Sequence, residues 1–287
     1  MKKANAYEIV NARILGELEA GRIPWFDKAW TGSPSRAYNS VSKKPYSFVN
    51  QLLLTHDGEY ATFKQWTEKG GHVRKGEKSE AIIFWKLYKT EEKDAAGNLV
   101  LDNDGNPETK TIPCLRYYRV FHVSQVEGVE PQERPAVVNE FSPIEQAEQC
   151  LGEYRDREGI KLVHEFTGSA YYSPESDGIT LPLREQFKSP ELYYSVSAHE
   201  HVHSTARRVN RTFNYGVKKD RALEECVAQL GSAYLMNTWG IANPTTDDND
   251  VSYIDSWISA IRDNPHAFVT AASRAEKAVK CILGTTE

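Results

Sequence analysis

The sequence predicts an α+β protein of two domains, and three observations carry that expectation. The chain has 287 residues, 40% of them hydrophobic and 26% charged, which is globular in balance and long enough for two cores. Strand-like text runs from Arg36 to about Gln125, whereas capped helical text dominates after about residue 140. Charge divides in the same place. Residues 1–89 carry 15 Lys and Arg against 9 Asp and Glu, so the rest must be strongly acidic to reach a net charge of −5. A basic front and an acidic back imply modules with different partners. The expected layout is a mixed α/β domain over 1–125, a Glu-, Pro- and Val-rich linker over 126–140, and a second domain over 141–287.

In chain order, YEIVNARILGELEA places Val10, Ile14 and Leu18 on one helical stripe over 7–20, closed by Gly21 and Pro24. Aromatic and β-branched residues with turn signals follow. A polar insert over 90–111, with AAGN and NDGN, is expected as an extended, mobile hairpin or loop. Ser142-Pro143-Ile144-Glu145 supplies a cap, a first-turn proline and a capping-box glutamate; Ser189-Pro190 and Asn264-Pro265 repeat the cap-plus-proline start. Between the first two of these lie short extended pieces at 160–166, 170–173 and 178–182, read as a small meander. Helices are expected from Ser189, over about 221–238, over 251–263 and over 265–282.

Some classes are excluded. The longest purely apolar run, Ala81–Trp85, is far too short to span a membrane. The N-terminus has lysines but no apolar stretch behind them, so it does not read as a signal peptide. Cys114, Cys150, Cys226 and Cys281 lie far apart without a C-x-x-C pair. Reduced thiols and a cytoplasmic location are expected, with Cys150 and Cys226 as small core residues on helices.

The stretch SAHEHVHSTA contains His199-Glu200-His201-Val202-His203. Residues 199 and 203 are one helical turn apart, so both imidazoles can reach one metal ion. Leu192 and Val196 share their stripe, which points it toward the interior. Glu200, rotated by one residue, sits beside the metal as the base for a water. His201 points elsewhere, to solvent or to the surroundings of the site. A catalytic Zn2+ needs a third protein ligand and an open position. The downstream segment Ala222–Gln229 offers two adjacent glutamates that cannot both point inward. Glu225 is the preferred ligand and Glu224 the alternative; the other is then a helix-start acid favoured by the macrodipole. Gln229 can hydrogen-bond a ligand histidine. Such a site hydrolyses peptides. Tyr215 and His164 are candidates for the donor to the oxyanion, and strand 178–182 for an edge on which substrate pairs.

Residues 22–89 interleave aromatics with bases, the pattern by which single strands are stacked and their phosphates tracked. The competing reading is a core of aromatics and solvated lysine turns.

The strings ILGELEAGRIPWFDKAW, YNSVSKKPYSFVNQLLL, ATFKQWTEKGGHVRKGEKSEAIIFWK and YYRVFHVSQVEG closely resemble the N-terminal domain of ArdC-type antirestriction proteins. ITLP, HEHVH and ALEECVAQLGSAYL resemble the zincin-like metallopeptidase domain of the same family, of gluzincin type. The resemblance covers nearly the whole chain. It implies a single-stranded DNA-binding domain joined to a peptidase with an unidentified protein substrate, a mobile-element origin, and protection of incoming DNA from restriction. Gln229 and Cys226 depart from it, standing where a glutamate and a leucine are usual. Carried over by position, it supports Lys43, Lys44, Pro45, Tyr46, Lys64, Trp66, Arg74 and Lys75 as DNA-facing or DNA-shaping, with Asn39 and Asn50 of the same set holding turns. Trp25 and Trp30 are candidate stacking platforms. The rival function is a DNA-binding shield whose metal is structural; Glu200 argues against it, because a structural site has no need of an acid beside its metal.

Overall fold

The computed structural model describes residues 5–20, 23–24, 37–92, 94, 98–102, 105–132, 143–214, 216–242 and 250–285. It is an α+β fold whose front half is built on β-sheet and whose back half is mostly helical. Helix α1 (Ala6–Glu19) starts in a reciprocal cap between Asn5 and Glu8, and buries Val10, Ile14 and Leu18 as the stripe predicted. Helix α2 (Phe48–Leu53) and helix α3 (Phe63–Glu68) follow; α3 is capped by Thr62 and Gln65.

Strands β1 (Tyr38–Asn39), β2 (Glu59–Ala61), β4 (Glu80–Glu91) and β5 (Thr109–His122) form one sheet in the order β1-β2-β5-β4, with β1 parallel to β2 and the rest antiparallel. Strand β3 (His72–Val73) pairs with β6 (Val126–Glu127). The polar insert is a hairpin. The β4–β5 ladder runs unbroken to Glu91↔Thr109, and a further bridge joins Leu101 to Pro107. Residues 126 and 127, expected in the linker, belong to β6, and Val126 is buried against Trp66 and Val123. Residues 133–140 of that linker lie outside the described residues.

In the back half, α4 (Pro143–Glu158) leads into β7 (Lys161–Glu165), β8 (Tyr171–Ser173) and β9 (Gly178–Pro182). These are not a meander. β9 lies in the centre, parallel to β7 and antiparallel to β8. It takes that place because its inward residues, Ile179 and Leu181, are fully buried. Consequently β9 is not an edge; β7 and β8 are. Helices α5 (Pro190–Ser204), α6 (Lys218–Trp239), α7 (Asp250–Asp263) and α8 (Ala267–Ile282) complete the chain. Ser189 caps α5 with Pro190 in its first turn. The Asn264-Pro265 pair behaves differently. Its Asn side chain and carbonyl accept from the amides of His266 and Ala267, so a turn forms first and α8 starts at Ala267.

The largest apolar cluster runs through both halves. Val10 and Ile14 of α1 and Phe48 and Leu52 of α2 join the same core as Leu230, Phe268, Ala272 and Val279. Phe48 stacks on Tyr234 of α6 at 4.3 Å and 8° between planes. The Asn11 amide donates to the Pro265 carbonyl at 2.9 Å. Among the described residues all four cysteines are free, and Cys150 and Cys226 pack against the core. No described helix is long and apolar enough to cross a membrane.

Candidate metal centre

Helix α5 presents two adjoining faces. Ala198 and Val202 are fully buried, whereas Leu192, Val196 and His199 are only half-buried. The histidine stripe therefore lies at the rim of the core and not within it. α6 packs against α5 at very close range: a Cβ placed at Gly231 meets Val202 Cγ2 at 2.7 Å. Only glycine allows that approach, and it brings the start of α6 over the histidines.

The result is a three-atom cluster. His199 Nε2 and His203 Nε2 are 3.1 Å apart. Glu225 Oε2 lies 3.4 Å from His199 Nε2 and 3.8 Å from His203 Nε2. A four-coordinate ion with bonds of about 2.0–2.1 Å separates its ligands by about 3.3 Å, so these donors fit one divalent ion. Two imidazoles and a carboxylate are the donor set of a site with an open position. Glu225 is 48% exposed, which leaves the approach free on that side. Hydrogen bonding to the two histidines holds its carboxyl far below the usual range.

Glu224 is not a solvated helix-start acid. It is 1% exposed; its Oε1 accepts from His203 Nδ1 at 3.1 Å. Arg211 donates to both its oxygens, at 2.7 and 2.8 Å. Arg211 also donates to Thr205 Oγ1 and the Val202 carbonyl, tying this group to the end of α5. With Nδ1–H held by Glu224, His203 would offer Nε2 to an ion by giving up the proton that this nitrogen shares with Glu225. Burial lowers the His203 pKa, but hydrogen bonds to Glu224 and Glu225 outweigh it and raise the value to about 9. Arg211 is a residue that sequence reasoning missed; it sits in no motif, and only folding brings it to Glu224.

Glu200 is 7% exposed beside the cluster. Burial raises its pKa against the pull of His199 and His203, and the Tyr172 backbone on β8 hydrogen-bonds to it. His201 is fully buried, not solvent-facing. Its Nε2 accepts from Arg155, and its Nδ1 donates to the Ser197 carbonyl at 2.6 Å. Burial, aided by Arg155, lowers its pKa to about 3, so it is a neutral structural group. Gln229 accepts from Trp257 Nε1 at 3.3 Å and makes no recorded bond to a histidine among the described residues. His164 is hydrogen-bonded to Tyr193 at 2.9 Å, near the start of α5 and away from the cluster. Tyr215 lies outside the described residues.

The expected DNA-facing set is dispersed. Trp66 is 1% exposed and donates to the Phe121 carbonyl, so its ring is core and unavailable for stacking. Lys43 donates to Gln132 and lies 3.7 Å from buried Glu59. Lys64 pairs with Glu68 and Arg74 with Glu77. Lys44 and Lys75 are exposed, and Tyr46 is half-buried against Tyr60. Asn39 holds a turn, accepting from Val41 and Ser42. Asn50 does not; it is buried and bonds both the amide and the carbonyl of Ile83, joining α2 to β4. Trp25 and Trp30 lie outside the described residues.

Comparison with known proteins gives consistent results for both halves. The family described as the N-terminal domain of anti-restriction factor ArdC matches residues 4–121, and the zincin-like metallopeptidase family matches residues 147–274. An uncharacterized Sinorhizobium fredii protein, y4eC, is 33% identical over 94% of this chain and 89% of its own length. A DNA primase TraC of Escherichia coli is 32% identical over 94% of this chain, which spans only 19% of that protein. A second TraC is 31% identical, with 27% of its length covered. The metal-free crystal structure of antirestriction protein ArdC from plasmid R388 is 26% identical, with a TM-score of 0.72 over 98% of both chains. Its Mn(II)-bound form is 25% identical, with a TM-score of 0.70.

Proposed function

The chain belongs to the ArdC-type antirestriction family, and from that premise we propose that it is a metal-dependent peptidase joined to a single-stranded DNA-binding module, protecting entering DNA from restriction. The observation that carries this reading is the convergence of His199, His203 and Glu225 within 4.8 Å of one another, with buried Glu200 alongside. His199, His203 and Glu225 would hold the ion, and zinc is the metal we assign from the donor set. When bound, a divalent ion supplies Lewis acidity toward water and a substrate carbonyl.

The other roles belong to the chain. Glu200 takes the proton of the attacking water and returns it to the leaving amine; its raised proton affinity suits a group that must do both. Glu224 and Arg211 fix the orientation of His203. An extended peptide pairs with β8, the edge strand whose Tyr172 backbone reaches Glu200. We keep Tyr215 as the donor to the developing oxyanion. The peptide comes from a cytoplasmic protein near the entering DNA, such as a defence component.

The test is cleavage of an unfolded protein such as casein by the metal-loaded full chain, with and without oligo-dT. Wild type cleaves and is inhibited by chelator, whereas Glu200→Gln retains metal and does not cleave. Equal cleavage by both would remove Glu200 from the chemistry.

A further inference from the structure

The first half is basic, yet a helix of the second half puts three cations against it. α8 buries Phe268, Ala271, Ala272, Ala275, Ala278 and Val279 in the shared core. Its other side carries Arg274, Lys277 and Lys280, spaced by three residues and therefore on one side of the helix. They line a cleft of ≈ 680 Å³ whose opposite wall is Tyr46 and Trp85 from the sheet half. That volume lies in the range of ligand clefts, about 300–1,000 Å³. Trp85 is 47% exposed there. A half-open ring beside cations combines the two features, a stacking surface and positive charge, on which a nucleotide can rest.

The walls are fixed relative to each other. The Phe48 amide donates to Glu276 on α8 at 3.3 Å, and Phe48 stacks on Tyr234. Asn50 bonds both backbone groups of Ile83 and so sets β4 against α2. Among the described residues Glu276 is the one acid lining the cleft. It is engaged by Phe48 and by Lys280 at 3.4 Å. Among the described residues Arg274 and Lys277 make no ion pair. The cleft thus joins an aromatic wall to a cationic wall across the two halves, held open by a common core.

We propose that this cleft is a composite single-strand site: a base stacks on Trp85 while the adjoining phosphates lie on Arg274 and Lys277, so that the zincin-like half supplies part of the DNA interface. The proposal rests on the reading that the chain binds single-stranded DNA, and it adds Arg274 and Lys277 of the second half to that binding. Sheet aromatics and helix cations do together what a groove of stacking platforms and basic side chains does in other single-strand binders.

The test is fluorescence anisotropy of labelled oligo-dT with the full-length chain across a salt series. Arg274→Ala/Lys277→Ala weakens binding about tenfold or more near 0.1 M salt. It also reduces the salt slope by about 1.4, since each phosphate contact on a single strand contributes about 0.7. Trp85→Ala weakens binding about tenfold and Trp85→Phe retains most of it, because stacking needs a ring. Lys161→Ala/Lys219→Ala, which removes two cations elsewhere, binds as wild type. The cleft is overturned if the Arg274/Lys277 pair and Trp85→Ala all bind as wild type. It is also overturned if only Lys86→Ala and Arg116→Ala on the opposite hairpin face weaken binding. Competition by free dTMP as effective as by oligo-dT would reassign the cleft to mononucleotides. Failure of wild type to bind oligo-dT at all would instead refute the DNA reading on which the proposal rests.

Discussion

His203 Nδ1 and Glu224 Oε1 lie 3.1 Å apart in a pocket that leaves the glutamate 1% exposed. Adjacent glutamates thereby take different parts, Glu225 beside the histidine Nε2 atoms and Glu224 behind them. Burial raises the Glu224 pKa, but hydrogen bonds from His203 and Arg211 outweigh it and lower the value, and the Arg211 ion pair depends on both members. Glu224→Gln keeps the shape and removes the charge. It should weaken metal binding about 10–100-fold, measured by chelator competition, while His199 and His203 remain in place. Unchanged affinity would make Glu224 a purely structural acid.

The Gly231–Val202 contact sets the distance between the two helices of the site. Gly231→Ala puts a methyl where Val202 already sits, at 2.7 Å. Overpacking of this kind costs about 1–3 kcal/mol. Thermal unfolding should fall and metal affinity with it, because Glu225 moves with α6. Adding Val202→Ala should restore metal affinity; no restoration would show that the glycine does not set the spacing.

Arg208 is a strap between α5, α4 and the turn before β9. It donates to Glu158, to both oxygens of Asp177 and to the Ser204 carbonyl. Asp177 adopts a left-handed φ of 49°, which asparagine also tolerates, so Asp177→Asn isolates the charge. The Arg208 hydrogen bonds, against some desolvation, lower the Asp177 pKa. A lowered folded value means stability that is complete above the unfolded value of about 3.9 and lost as pH falls through the folded one. At neutral pH Asp177→Asn should cost about 1–2 kcal/mol in urea unfolding. The difference from wild type should close as acidification carries the solution through the lowered folded value of the Asp177 carboxyl. A gap that persists at acid pH would mean that packing, not charge, is lost.

Trp66 separates core from interface. With its ring buried and its Nε1 bonded to Phe121, Trp66→Phe should lower stability by about 1–2 kcal/mol, from one lost hydrogen bond and a small void. Affinity of the folded protein for oligo-dT should not change. A selective loss of affinity at full stability would return Trp66 to the DNA surface.

Local chemistry was legible in the sequence and long-range partnership was not. Ser189-Pro190 and the Val10, Ile14, Leu18 stripe are local signals, and both elements form as read. His199, Glu200 and His203 share a single helix turn, so their relation needs only the helical period. Glu225 over Glu224 depends on how α6 meets α5, which Gly231 decides from six residues away. Strand order in the small sheet was equally hidden, because β9 takes the centre by pairing with β7 across the intervening β8. Trp66 and Trp85 look alike in sequence, each beside lysines. The fold buries the first under β6 and leaves the second open to α8. An aromatic among bases is a stacking platform only where tertiary packing spares it.

The central claim is that hydrolysis at this metal centre protects entering DNA. The most direct measurement is transfer of unmodified plasmid DNA into restricting cells that express wild type or Glu200→Gln at equal levels. The mutant must first be shown to keep metal and oligo-dT binding in vitro. The account predicts protection by wild type and its loss in the mutant. Full protection by Glu200→Gln would contradict it and leave DNA binding alone as the protective act.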